Sequence, residues 1–344
     1  MSIAPWRATC VQMKSELASK ASSNDDAKEI IARNVERAVG HINQICDGPN
    51  PAKLVLLPEF ALQGPPLSGE SVEQWIAKAC DTLPGSVAAP FQEIAAKRNI
   101  FIGGNLFEFD PKWPGRFFNS CFLIDNKGEV ILRFRRINTA MWPSPHDFID
   151  AYQGELGIEG VFPVVDTELG KLAMVACGEI QVPEVVRAFM VRGAEVLIHP
   201  TNEDLSPGQE AAKIARAAEN MMYVISANVA GGIGFSPDGS VLGGRSRIVD
   251  FRGKTLSYEP EAHETIGVSA MIDVEALRKA RRELSMANGL LRTRWEMYRD
   301  IYANLSVYPP NYFLATPMAH YSMTELPVKI AMENLIRLGI TVEA

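Results

Sequence analysis

The sequence predicts an α/β protein in which strands and helices alternate in layers. Short apolar runs recur between amphipathic stretches, breaks with turn chemistry separate them, and two of the runs deliver a polar residue at their C-terminal end. In layered sheets of this kind, ligands bind outside the carboxyl ends of the strands. Glu59 and Cys177 are therefore the first residues to weigh.

Residues 24–45 place Ile30, Ile31, Val35, Val39 and Ile42 at helical spacing on one face. The continuous run Leu54-Val55-Leu56-Leu57 reads as a strand buried on both faces, ended by Pro58 just before Glu59. A helix is expected over 87–97, then a strand at Ile100-Phe101-Ile102 with Gly103 and Gly104 as a tight exit. Residues 119–124 and 130–134 read as a hairpin joined by Asp125-Asn126-Lys127-Gly128. Residues 138–160 contain Trp142, two prolines, His146, Asp147 and several glycines without a clear period, and are expected to form a long binding loop.

A strand over 172–176 delivers Cys177, Pro183 opens a helix through Arg192, and Val196-Leu197-Ile198 is the next strand. A helix over 208–222 and a strand over 223–227 follow. The glycine-rich 231–244 lacks the strand-to-helix context of a dinucleotide-binding loop and is expected to form turns. Strands are expected over 246–251 and 265–272. From Ala276 onward, helix mixes with an aromatic, proline-rich stretch of the kind that packs on a partner subunit.

With 344 residues, 47% of them hydrophobic and 22% charged, the chain can build a full core, and one large unit around a shared core is the preferred reading. A formal charge of -7 argues against nucleic acid as a partner, because that affinity rests on clustered Lys and Arg. The short basic stretches at Arg133, Arg135 and Arg136 and at 278–282 read as solvated faces or local ion pairs. Cys10, Cys46, Cys80, Cys121 and Cys177 show no CxxC spacing, and their odd number leaves a free thiol, which fits a reducing compartment. No His/Cys cluster has ligand spacing, so neither a metal nor an organic cofactor is expected. The first residues lack a signal-peptide pattern and no uncharged apolar run approaches membrane length. A cytoplasmic protein without a membrane association is expected.

A free cysteine is by default a small buried hydrophobe, and its thiol needs a basic or positive neighbour to become a nucleophile. Cys177 falls between a buried strand and a helix start, where the helix's positive end would favour a thiolate, and Gly178 leaves room for a substrate. Glu59 follows a buried strand directly. A carboxylate there is costly unless paired or functional, and a desolvated Glu can act as a general base.

Against this background, the segment AKLVLLPEFALQG resembles the catalytic-Glu motif of the nitrilase (carbon-nitrogen hydrolase) superfamily. LAMVACGEIQVPEVVRAFMVRGAEVLIHP resembles its Cys motif, NSCFLIDNKGEVILRFRR the strand pair leading to its catalytic Lys, and RAAENMMYVISANVAGG and GGRSRIVDFRGK its later landmarks. The resemblance runs from about Trp6 to Ile272. It implies a four-layer αββα sandwich of two stacked mixed sheets, with residues 1–275 as the catalytic domain. Residues 276–344 would be a C-terminal extension packed on that domain or on a partner subunit, in a homodimer or higher homo-oligomer.

The resemblance also implies roles. Cys177 would be the nucleophile and Glu59 the base. Arg136 stands where the family has Lys and would hold the oxyanion together with the backbone N–H of Gly178. Arg keeps the charge but is larger, forked and effectively never deprotonated. Asp147 would supply a fourth carboxylate, with Asp150 and Glu155 as lesser candidates, and Trp142 and His146 would contact substrate. The expected reaction is hydrolysis of a non-peptide amide, carbamoyl or hydrazide bond through a Cys thioester. Hydrolysis of a nitrile, transfer of the acyl group to an amine, and a catalytically silent scaffold stand as alternatives.

Overall fold

The structure, a computed structural model, describes residues 2–66, 69–139, 141–203, 207–231 and 243–343. Its strands form two six-stranded mixed sheets. The first contains β1 (Trp6–Gln12), β2 (Leu54–Leu56), β3 (Phe101–Phe109), β4 (Phe117–Ile124) and β5 (Val130–Arg135). The second contains β6 (Val165–Thr167), β7 (Gly170–Met174), β8 (Val196–Thr201), β9 (Tyr223–Asn228), β10 (Arg247–Val249) and β11 (Thr255–Tyr258). The last strand, β12 (Thr265–Ile272), returns to the first sheet beside β1. In each sheet three neighbouring strands run parallel, β1-β2-β3 and β7-β8-β9, and antiparallel strands flank them.

The period of two along a strand assigns its side chains to layers. Leu54 and Leu56 of β2 join a core shared with Leu172, Met174 and Ile198 of the other sheet, whereas Val55 and Leu57 face a second core under helix Asn24–Asp47. That helix is capped by Ser23, whose side chain accepts the Asp26 N–H, and it buries Ile30, Ile31, Val35 and Ile42 as its spacing predicts. Gly103 and Gly104 lie inside β3 instead of ending it. A Cβ at 103 would come within 3.2 Å of Ile198 on the facing sheet, and one at 104 within 2.6 Å of Phe122. Gly103 lets the sheets approach, and Gly104 makes room for the Phe122 ring of the neighbouring strand.

The stretch 138–160 is more regular than expected, with a 3-10 turn at Pro145–Phe148 and helix Ile149–Val161, kinked where Gly157 takes φ 66°. Gly154, Gly157 and Gly160 interrupt the helical pattern in the sequence, while Tyr152 and Val161 anchor the helix on Phe118 and Phe148. β1, β6, β11 and helix Val72–Ala79 have no counterpart in the sequence reading. Most of 231–244, expected to form turns, lies outside the described residues.

Helix Val274–Arg282 buries Val274, Leu277 and Ala280 in the inter-sheet core and spans the expected 275/276 boundary. Beyond it, Asn311 and Phe313 donate backbone N–H groups to the carbonyls of His146 and Asp147, and Arg116 donates to the Phe313 carbonyl. The basic stretches are tied up in ion pairs: buried Arg135 binds Glu108 and Asp110, and Arg278 binds Glu195. Among the described residues, no helix is long and apolar enough to cross a membrane.

Candidate active site

Glu59 and Cys177 each lie three residues beyond the end of a parallel strand, β2 and β7 respectively. Sheet stacking brings the two strand ends together. Both exits turn through the left-handed backbone region, at Phe60 (φ 61°) after the carboxylate and at Cys177 itself (φ 43°). A non-glycine residue there is strained and persists only where its surroundings hold it, as at many functional sites.

Glu59 is fully buried. Its Oε1 accepts the Asn119 side-chain N–H at 2.8 Å, its Oε2 accepts the Asn202 backbone N–H at 3.1 Å, and Arg136 Nη1 stands 3.5 Å from Oε1. Burial raises its pKa, while Arg136, Asn119, Cys177 and Asn202 pull it back. Asn119 is in turn oriented by Asn105, whose side-chain N–H it accepts at 2.5 Å.

Cys177 opens a 3-10 turn, Cys177–Gln181, and the regular helix starts only at Pro183. The expected helix N-terminus is therefore not at the thiol. Nor is the thiol acidified: burial first, and the Glu59 charge second, push it up to about 12 against the pull of Arg136 and Thr201. At neutral pH the resting sulfur is a thiol beside Glu59. The sulfur lies 3.4 Å from the Asn202 carbonyl and 3.6 Å from Gln209 Nε2, a donor that also reaches Thr201 Oγ1 at 3.3 Å.

Arg136 follows β5 directly, and its backbone N–H bonds the Asn119 carbonyl at 2.9 Å. The alternation of β5 sends Arg135 into its ion pair with Glu108 and Arg136 toward Glu59. Burial opposes the Arg136 charge, but Glu59, Cys177 and Glu179 outweigh it and raise the pKa. Its Nε makes no hydrogen bond among the described residues. Nη2 lies 3.4 Å from where a Cβ on Gly178 would sit, so the guanidinium borders the Gly178 backbone.

Three residues that sequence reasoning passed over complete the frame. Buried Glu179 accepts the backbone N–H groups of Ile137 and Asn138, both at 2.8 Å, and the Asn138 side chain at 3.0 Å. It thereby fixes the segment that carries Arg136. His199 bonds the Cys177 carbonyl through Nε2 at 2.9 Å and Ser226 Oγ through Nδ1 at 2.9 Å. A carbonyl only accepts, so Nε2 carries the proton and Nδ1 accepts from Ser226. Burial, then Lys213, holds the His199 pKa down at about 3, so the ring is neutral. Gln209 is the third, one helix turn from buried Lys213, which pairs with Glu203 at 2.5 Å and Glu210 at 2.7 Å.

Asp147, the expected fourth carboxylate, is buried, but it accepts the Ser144 backbone N–H at 2.9 Å in a capping box and feels Arg116. The structure does not bring it to Glu59, Cys177 or Arg136 through any hydrogen bond or ion pair among the described residues. Asp150 and Glu155 are exposed, Glu155 in an ion pair with Lys112. Trp142 packs edge-on against Phe60 at 5.6 Å and Phe107 at 5.5 Å, bracing the Glu59 exit. His146 stands beside Tyr308 of the C-terminal stretch, ring centres 5.7 Å apart.

Fold and site together define an α/β protein that opposes a thiol and a carboxylate across two stacked sheets, with a guanidinium between them. The model of the carbon-nitrogen hydrolase family matches residues 7–282, and the chain belongs to that family. It is 28% identical to nitrilase homolog 2 of Dictyostelium discoideum, over 73% of this chain and 74% of that protein. It is 26% identical to a formamidase of Bacillus cereus strain B4264, over 67% of this chain and 65% of that one. The fold matches the crystal structure of Saccharomyces cerevisiae Nit3, a member of branch 10 of the nitrilase superfamily. That likeness has a TM-score of 0.63 and 21% identity, and covers 82% of this chain and 95% of Nit3. The two stacked sheets are thus those of the nitrilase superfamily.

Proposed function

We propose that the protein hydrolyses a small non-peptide amide through a thioester on Cys177. The observation that carries this reading is the Glu59, Arg136 and Cys177 cluster at the paired strand ends, with buried donors arranged around it. As sulfur attacks the carbonyl carbon, Glu59 takes the thiol proton, and the carbonyl electron pair moves onto oxygen. Arg136 and the Gly178 N–H hold that oxyanion, the guanidinium Nη2 bordering Gly178 and the Nε–H having no hydrogen-bond partner among the described residues. Collapse breaks the C–N bond, and the proton on Glu59 leaves with the amine or ammonia. Water, deprotonated by Glu59, then attacks the thioester. The carboxylic acid departs and the thiol regains its proton.

The high thiol pKa supports this order, because proton removal coupled to attack needs no standing thiolate. Amide over nitrile is supported by the formamidase relative. Gly178 lines the reacting centre, Trp142 supports it from behind Phe60, and Asp147 acts on the segment that holds His146. Residues 276–344 serve as an extension, and exposed Trp295, Met297, Tyr298 and Ile301 suit packing between subunits of a homodimer or larger assembly. Five unpaired cysteines fit the reducing cytoplasm.

The test is release of ammonia or amine and acid from a panel of formamide, acetamide, a hydrazide, a carbamoyl compound and a nitrile. Turnover of an amide-like member, lost in Cys177→Ala, is the expected result. Turnover of the nitrile alone moves the reading to a nitrilase, acyl transfer to an added amine moves it to a transferase, and no turnover leaves a binding scaffold.

A further inference from the structure

A cavity of about 300 Å³ is lined by Ile137, Asn138 and Thr139, which follow Arg136 in the chain, and by His146 and Tyr308. One wall is the segment directly after Arg136, pinned by the carboxylate of Glu179 two residues from Cys177. The opposite wall comes from far along the chain. It is held by backbone hydrogen bonds from Asn311 to His146 and from Phe313 to Asp147, by the Asp150 N–H bonded to the Asn311 side chain at 3.0 Å, and by Arg116 on the Phe313 carbonyl at 2.8 Å. Phe313 and Met318 are buried, which anchors the stretch at those bonds and beyond them. The Tyr308 ring therefore stands against His146 by construction, at an interplanar angle of 63°.

The lining chemistry is specific. Among the described residues it has two aromatic rings, one aliphatic side chain, an amide and the hydroxyls of Thr139 and Tyr308, and no charged side chain. Burial keeps His146 neutral and keeps the Tyr308 hydroxyl protonated, with Asp147 adding to the latter. Behind the walls Glu179 stands with Arg136 and Asp147 with Arg116, so a carboxylate on the ligand would find no free cation in the lining and would shed its water without a partner.

We propose that this cavity is the subsite for the part of the substrate beyond the scissile carbon, and that it selects a neutral planar group, an aryl or conjugated amide. A small aliphatic amide leaves the rings uncovered, and a carboxylate-bearing ring is rejected. This rests on Cys177 and Arg136 marking the reacting centre.

The experiment measures binding of benzamide, acetamide and 4-carboxybenzamide to the Cys177→Ala protein by calorimetry, then to the same protein carrying Tyr308→Ala or Tyr308→Phe. Benzamide should bind about tenfold tighter than acetamide, and Tyr308→Ala should erase that margin, as loss of one ring contact and its burial implies. Tyr308→Phe, which keeps the ring, should retain most of it, and the carboxylate should cost about tenfold or more. Equal binding of benzamide and acetamide, an affinity indifferent to Tyr308→Ala, or equal binding of the carboxylate analogue would overturn the subsite. Turnover of benzamide by the unmodified protein is read separately. Selective binding of benzamide with no turnover of benzamide or of any member of the panel sinks the hydrolase reading and leaves the cavity as a binding pocket for the neutral ring.

Discussion

The two strand exits that meet at the site are built differently. The Glu59 exit is wrapped in fixed donors: Asn119, the Asn202 N–H and Arg136 surround a carboxylate with no exposure, and Phe60 behind it packs on Phe107 at 5.4 Å and on Trp142. The Cys177 exit has longer side-chain contacts and is instead held through its backbone, by a left-handed turn and by His199 on its carbonyl. One exit fixes a charge and the other aims an atom. In the proposed reaction, a base that gives and takes a proton twice per cycle must stay in register, whereas a nucleophile must be presented and then carry an acyl group.

Breaking the first exit should have the largest effect. In the proposed reaction Glu59→Gln removes the proton acceptor and keeps the shape, and the rate of acyl-enzyme formation should then fall by about 10² to 10⁴. A fall of less than tenfold would assign the base elsewhere. The bridge between the exits comes next. Arg136→Ala should lower kcat by about 10² to 10³, the usual loss for an oxyanion donor, and Arg136→Lys should fall between the two with the fold retained. Unchanged turnover in Arg136→Lys would remove this position from the oxyanion site.

The smallest effect on rate is expected at the backbone support of the second exit. His199 has its pKa depressed by burial, so its neutral form stabilises the fold fully above the ordinary value near 6.5, and this is lost as pH falls toward about 3. His199→Gln cannot titrate. It should be less stable than the unmodified protein at pH 7, and the gap in melting temperature should narrow as pH is lowered to 4. A gap constant with pH would show that His199 is not held neutral by the fold.

How much of this was legible in the sequence differs between the exits and their surroundings. Continuous apolar runs made β2, β7, β8 and β9 readable, and the polar residue after each of the first two pointed to Glu59 and Cys177. β1 escaped because Arg7, Thr9 and Gln12 break its apolar run, although Thr9 and Gln12 are buried. Glu179 carries a signal of its own, a carboxylate two residues from the thiol, whereas the resemblance points to Asp147 in the loop after Arg136. Asp147 is buried by local capping, a role that turn chemistry explains. Asn119, Asn202 and Gln209 come from β4, the end of β8 and a helix, so only packing brings them together. His199 was the readable omission, a polar residue within the buried run of β8.

The pairing of a fixed base with a presented thiol is tested most directly by intact-protein mass spectrometry after brief exposure to an activated acyl ester. One acyl group should appear on Cys177 in the unmodified protein, form far more slowly in Glu59→Gln, and be absent in Cys177→Ala. An adduct that persists in Cys177→Ala, or that forms equally fast without the Glu59 carboxylate, would contradict it.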